Sequence, residues 1–262
     1  MLRYLSLYWS IIKVSFIRAT AFRFDFWWRV GMDLVFYGVS IAGFKLIYLH
    51  TPLLGGWTEE QVMIFIAGYF ILDALQMTFL SQNLWEFPSD VNTGLFDYTL
   101  VRPVSSLFWI SCKEVAVSSF VNLLAAGGIF FWALSNYPEP FGFLDILTYL
   151  FFLLNGLFIF FCVRILFSLP VFWLHSPYTF ERIFYSLQPF LDRPHTIYSG
   201  WARLLVLTLL PFGLMASLPA YIFFNGLTLE IIFLTLCVTG FFGSFVFWIW
   251  NKAIKSYSSA SS

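Results

Sequence analysis

A handful of polar residues stand inside a chain that is otherwise almost entirely apolar. Asp73 lies near the middle of an apolar run at about 61–84, with Gln76 one turn on and Asn83 near the end of the run. Arg164 interrupts a later run at about 144–174, and Glu181, Arg182 and Gln188 follow it. An ionisable group at bilayer depth is expensive, so it faces other helices or a water-filled cavity. Two kinds of chemistry are open to such a set. One is movement of protons or solutes along a polar path. The other is pairing between helices that only holds them together. Asp73 with Arg164 is one opposite-charge pairing the sequence allows, and snorkelling of Arg164 toward the near interface is another.

Covalent catalysis is poorly supported. There is no GxxxxGK[ST] loop to cradle a nucleotide, no HExxH, no CxxC pair and no GxSxG elbow. His50, His175 and His195 are far apart and read as interface or turn residues. Cys112, Cys162 and Cys237 sit in or beside apolar runs and read as small apolar fillers. No cofactor is expected in this chain.

The elements that must hold these residues are membrane helices. Of 262 residues, 60% are hydrophobic and only 11% are charged, and the mean hydropathy is +0.82. Soluble domains carry about 25% charged residues, so this chain has too little charge to cover a surface facing water. A crossing needs about 20 apolar residues. The predicted fold is an all-α integral membrane protein with six transmembrane helices in a single domain, which leaves no room for a soluble one. Predicted spans run from about Phe26 to Leu49, Gln61 to Leu84, Phe108 to Leu134, Leu144 to Leu174 (kinked at Pro170) and Ile231 to Ile249. Ala125 to Gly128 form a small-residue patch suited to close helix approach. The fifth crossing is either the Pro-broken stretch 201–224 or the more polar 178–194, with 199–224 then a re-entrant hairpin.

Residues 2–20 lack a small-residue cleavage site and read as an amphipathic interfacial helix. Arg3, Ser6, Ser10 and Lys13 make its polar stripe, and Leu5, Trp9, Ile12 and Phe16 an apolar face. Arg3, Lys13, Arg18, Arg23 and Arg29 crowd the N-terminal segment. Arg102, Lys113, Arg182, Arg193, Lys252 and Lys255 follow at alternate connections. Segments 50–60, 135–143 and 225–230 have neither Lys nor Arg. The positive-inside rule puts both termini in the cytoplasm and makes the number of crossings even. The net charge of +0 gives no reason to expect a nucleic-acid partner.

The polar segment 85–106, on the predicted cytoplasmic side, contains GLFDYTLVRPV at 94–104. This Gly-leucine-acid…Arg-Pro string resembles the permease subunits of type-2 ATP-binding-cassette transporters. The likeness is to bacterial chains of this length without a fused ATPase. It runs along the whole chain, and DRPHTIYSGWARLLVLTLLPFGLMASLPA at 192–220 is similar to a second signature of that subfamily. The resemblance implies an exporter in the bacterial inner membrane, working as a homodimer or a heterodimer with a second permease. It implies separate ATPase subunits that hold ATP and Mg, and a loop 85–106 that docks in them as a coupling helix. It also implies that residues 199–224 cap the pathway from outside.

A short coupling helix over Asp90–Leu100 would present Leu95, Phe96 and Leu100 as an apolar knob, with Asp90, Asp97 and Arg102 as its polar rim. Gly94 would allow tight approach, and Pro103 would end the helix. Phe87 is expected to help shape the element. Two other classes stay open. One is a proton-coupled secondary transporter using Asp73 or Glu181, although no inverted repeat is evident. The other is a lipid enzyme or scaffold in the membrane, although the polar residues are scattered rather than clustered.

Overall fold

The computed structural model describes residues 2–21, 23–174, 176 and 178–258. His175, the side chains of Arg3 and Arg23, and the Ser-rich tip at 259–262 lie outside the described residues.

The chain is helical along its length. The helices are α1 (Leu2–Ala21), α2 (Arg23–Tyr48), α3 (Glu59–Gln76), α4 (Gln82–Asn92), α5 (Asp97–Leu100), α6 (Ser106–Cys112), α7 (Ser119–Ser135), α8 (Phe143–Ser168), α9 (Val171–Leu174), α10 (Thr179–Leu187), α11 (Gly200–Leu207), α12 (Leu218–Asn225) and α13 (Leu229–Ser256). A π turn, Met77–Ser81, fuses α3 to α4. Four helical stretches are long and apolar enough to cross a membrane: Phe24–Tyr48, Glu59–Asn92, Phe143–Leu174 and Leu229–Ser256. The apolar helices Ser119–Ser135 and Gly213–Asn225 are shorter.

α3 is the axis of the bundle. Its apolar window is 83% buried, against 11% for α2. A helix apolar on all sides belongs in a core, and α3 packs against α7, α8 and α12. Thr58 starts it with a capping box: its hydroxyl accepts from the Gln61 N–H at 3.5 Å, and its own N–H donates to Gln61 Oε1 at 3.1 Å.

Close approach is made at glycines other than the predicted patch. A Cβ on Gly68 would overlap the Tyr149 ring, and one on Gly156 would overlap the Met215 backbone. At Gly127 and Gly128 a Cβ would meet open space. Within that run it is Ala126, not the two glycines, that is fully buried in the core, and α7 packs along α3.

The predicted third span, Phe108 to Leu134, is split into α6 and α7 by residues 113–118. Irregular backbone at this depth needs its polar groups met by protein, and distant residues meet them. The Val115 N–H donates to Ser15 Oγ at 3.1 Å, and the Ala116 N–H to the Thr78 carbonyl at 2.9 Å. Asn83 Nδ2 donates to the carbonyls of Ser111 and Glu114 at 3.1 and 2.8 Å. The π turn thus supplies an acceptor that an unbroken α-helix would keep for itself. Asn83 is thus a bracket between helices.

The face of α1 that meets the protein carries Tyr4, Ile11 and Ser15. Tyr4 packs edge-on to Phe108 with ring centroids 4.9 Å apart, and its hydroxyl accepts from the Ser105 N–H at 3.1 Å. Leu5, Trp9 and Phe16 remain exposed.

The two ends of the bundle are closed by different aromatic clusters. At one end Phe87, Phe96, Phe172, Trp250 and Tyr257 interlock. At the other, Trp57 meets Phe224 and His195, and Tyr137 meets Phe223 and Phe224. The second cluster gathers the connections that carry no Lys or Arg. Tyr178 sits beside Trp85 at 5.9 Å, toward the first end, while His195 lies at the second.

Candidate functional site

Residues 85–112 form a built knob at the first end of the bundle, with an architecture unlike the predicted one. A single short helix over Asp90–Leu100 is not found. α4 carries on from the membrane-spanning stretch to Asn92, Gly94 turns the chain at φ +77°, and only the four residues of α5 follow. The left-handed turn explains the glycine better than tight docking does.

Phe87 and Phe96 are fully buried and belong to the aromatic cluster, so neither presents an outward surface. Asp90 does not sit free on a rim. It takes Lys113 Nζ at 2.8 Å, with Glu86 sharing that ammonium at 3.0 Å. Burial works against the Lys113 charge, but the hydrogen bonds to Asp90 and Glu86 outweigh it and hold Lys113 above the usual lysine range. Asp97 is half-buried at the start of α5. Arg102 lies over the Trp109 ring at 3.9 Å, and Pro103 is exposed in the turn before α6, after α5 has already ended at Leu100.

What faces outward is a ridge of Leu95, Tyr98 and Val101, with Leu100 beside it. Tyr98 is 67% and Val101 79% exposed. Tyr98 and Val101 were missing from the predicted set. Their signal was present in GLFDYTLV, as apolar residues three apart at 95, 98 and 101. A cavity of about 380 Å³, lined by Ser6, Leu7, Arg102 and Trp109 among others, lies between α1 and the Arg-Pro turn.

The polar residues of the interior pair differently from the predicted scheme. Arg164 does not snorkel and does not meet Asp73. It forms an ion pair with Glu181, and both side chains are 1% exposed. Glu181 Oε1 also accepts from the Ser168 hydroxyl at 2.8 Å, and Arg164 Nη2 donates to the Tyr185 hydroxyl at 3.3 Å. The pair therefore ties α8 to α10. Arg182, its neighbour in sequence, is exposed. Asp73 Oδ1 accepts from Gln76 Nε2 at 3.0 Å, and Gln76 Oε1 accepts from Ser81. Asp73 and Gln188 line one cleft on the flank of α3.

His195 read as a turn residue, and its environment is more specific than that. It is 1% exposed. Its backbone N–H donates to Ser217 Oγ at 2.8 Å, and its Nδ1 lies 2.6 Å from the same oxygen. The Ser217 hydroxyl thus ties the start of α12 to both the backbone and the ring of His195. Arg203, Tyr221 and Glu230 line the cavity beside it.

A family model described as "ABC-2 family transporter protein" matches residues 34–261. No curated protein and no solved structure matches the chain.

Proposed function

The chain belongs to the ABC-2 family of transporter proteins, and from that premise we propose that it is the permease subunit of an ATP-driven exporter, coupled through residues 85–106 to separate ATPase subunits. The family supports a membrane transport role and a non-catalytic subunit. The observation that carries the coupling is the ridge Leu95–Tyr98–Val101. It is exposed apolar surface on a base made rigid by the Phe87–Phe96–Trp250 cluster and the Lys113 ion pairs. Aromatic side chains on a preorganised base are typical anchors of protein interfaces. α1 touches the same region through Tyr4, so movement of the ridge reaches the N-terminal helix.

The proposal includes six crossings. They are α2, α3–α4, α7, α8–α9, a polar passage at about 178–197 and α13, with 200–225 a re-entrant hairpin. Two contacts support the last two assignments. Tyr178 lies beside Trp85, while His195 and Phe224 both meet Trp57 at the opposite end. A chain that stands at the same end at 195 and at 224 has gone out and back between them. The uncharged connections gather at that end, which favours placing it outside and both termini in the cytoplasm. Among the described residues three cations stand near it: Arg193, bonded to Tyr198 beside His195, Arg203 in the cavity with His195, and Lys45, placed over the Trp132 ring at 5.5 Å. Bacterial inner membrane is the matching location. A second permease copy would cover the outer faces of α2 or α13, which are apolar and mostly exposed.

Purification of the tagged chain in mild detergent, co-expressed with its neighbouring genes, tests the reading. A stoichiometric P-loop ATPase with ATP hydrolysis is expected. A chain recovered alone across several detergents would overturn it and turn attention to Asp73 as a proton carrier.

A further inference from the structure

The flank of α3 carries a cleft whose chemistry is unlike the rest of the surface. About 330 Å³ in volume, it lies between α2 and α10 and is lined by Asp33, Phe36, Tyr69, Asp73, Tyr185 and Asp192, among others. A second cavity of about 440 Å³ continues it toward Trp28 and Trp85 and shares Asp33 and Tyr185 with it.

Three carboxylates and several aromatic rings thus face one space. Among the described residues no Lys or Arg lines the first cavity. Asp192 has Arg193 beside it at 3.9 Å, outside that lining. Arg29, in the second cavity, is held by Asp25 at 2.8 Å. Asp33 accepts a hydrogen bond from Asn122, and Asp73 accepts one from Gln76. Among the described residues neither carboxylate has a basic side chain within ion-pair distance.

Asp73 is the telling residue. It is only 9% exposed, and it lines the cavity. A buried carboxylate without a counter-charge is costly to keep ionised. An interhelical contact would have supplied a partner, as Glu181 does for Arg164. The rings beside Asp73 present negative faces that attract cations. A bare metal ion fits poorly, because the described residues form no group of three or more His, Cys, Asp and Glu able to hold one.

We propose that this cleft binds an organic cation bearing aromatic or bulky apolar groups, with Asp73 as its counter-ion and Tyr69 and Tyr185 against its apolar body. Calling that cation cargo rests on the permease reading; binding itself does not.

The test uses the full chain in nanodiscs of zwitterionic lipid. Ethidium is the fluorescent probe, tetraphenylphosphonium the competitor, and anilinonaphthalenesulfonate an anionic aromatic control. Saturable ethidium binding, displaced by tetraphenylphosphonium and not by the anion, is expected. Asp73→Asn should weaken it about tenfold or more, and Asp73→Glu should stay within about threefold. Equal affinity for Asp73→Asn, or displacement by the anion, overturns the proposal. If Asp73→Asn fails to fold, the cation-over-anion preference of the parent chain and the loss in Asp33→Asn decide it. ATPase capture is scored separately. Binding without an ATPase sinks the coupling and keeps the site, and an ATPase without binding does the reverse.

Discussion

Removing either half of the Arg164–Glu181 pair should cost about 3–5 kcal/mol of stability, because each change strands a buried charge. Arg164→Leu leaves a carboxylate that is 1% exposed with only the Ser168 hydroxyl to meet it. Glu181→Leu leaves a guanidinium with only the Tyr185 hydroxyl and the Phe184 ring, 4.9 Å away. The double variant, Arg164→Met with Glu181→Leu, should recover most of the loss, since matched apolar replacement of a buried pair is often neutral. Arg182→Ala, one residue along and exposed, should stay within about 0.5 kcal/mol. Thermal melting in detergent, followed by size-exclusion recovery, reads all four. If the single variants lose less than the exposed control, the pair is not closed in the folded protein. If the double variant recovers stability but no longer transports, the pair serves to position α10 rather than only to hold it.

How far the sequence could be read depended on where each residue's partners lie. The long stretches α2, α8 and α13 were legible because their signal is local: an apolar run, bounded by turns, of a length that spans. The split of the third run was not. Its cause is three acceptors and donors supplied by Ser15, Thr78 and Asn83, none adjacent to 113–118 in sequence. Arg164 was misread because its partner lies beyond the break at Pro170, and hydropathy carries no pairing information. Phe87 and Phe96 were misread because a chain this apolar gives an inward Phe and an outward Tyr the same periodic signal. Gly68 and Gly156 could not be told from Gly127 and Gly128 without knowing what faces them. Within the segment that carries the motif at 94–104, the buried Phe96 forms an inner anchor, and Leu95, Tyr98 and Val101 form an outer ridge.

That division sets the last expected result. Tyr98→Ala should weaken capture of the ATPase by about 2 kcal/mol or more, roughly thirtyfold, as truncation of a central aromatic anchor does. Val101→Asp should weaken it at least as much, because it sets an uncompensated charge in the contact. Both side chains are mostly exposed, so neither change should move the melting temperature. Phe96→Ala should behave in the opposite way. It removes a buried ring that meets Phe87, Phe172, Trp250 and Tyr257, and a loss of about 3–5 kcal/mol follows from the cavity. Arg102→Ala should fall between them, since it frees the turn from Trp109 without opening the core. Capture lost with melting unchanged identifies the ridge as the docking surface. Capture kept in Tyr98→Ala and Val101→Asp would place the contact elsewhere on this end of the bundle. The cavity between Arg102 and α1 would then be the next surface to alter, because it is the other opening that the Arg-Pro turn creates.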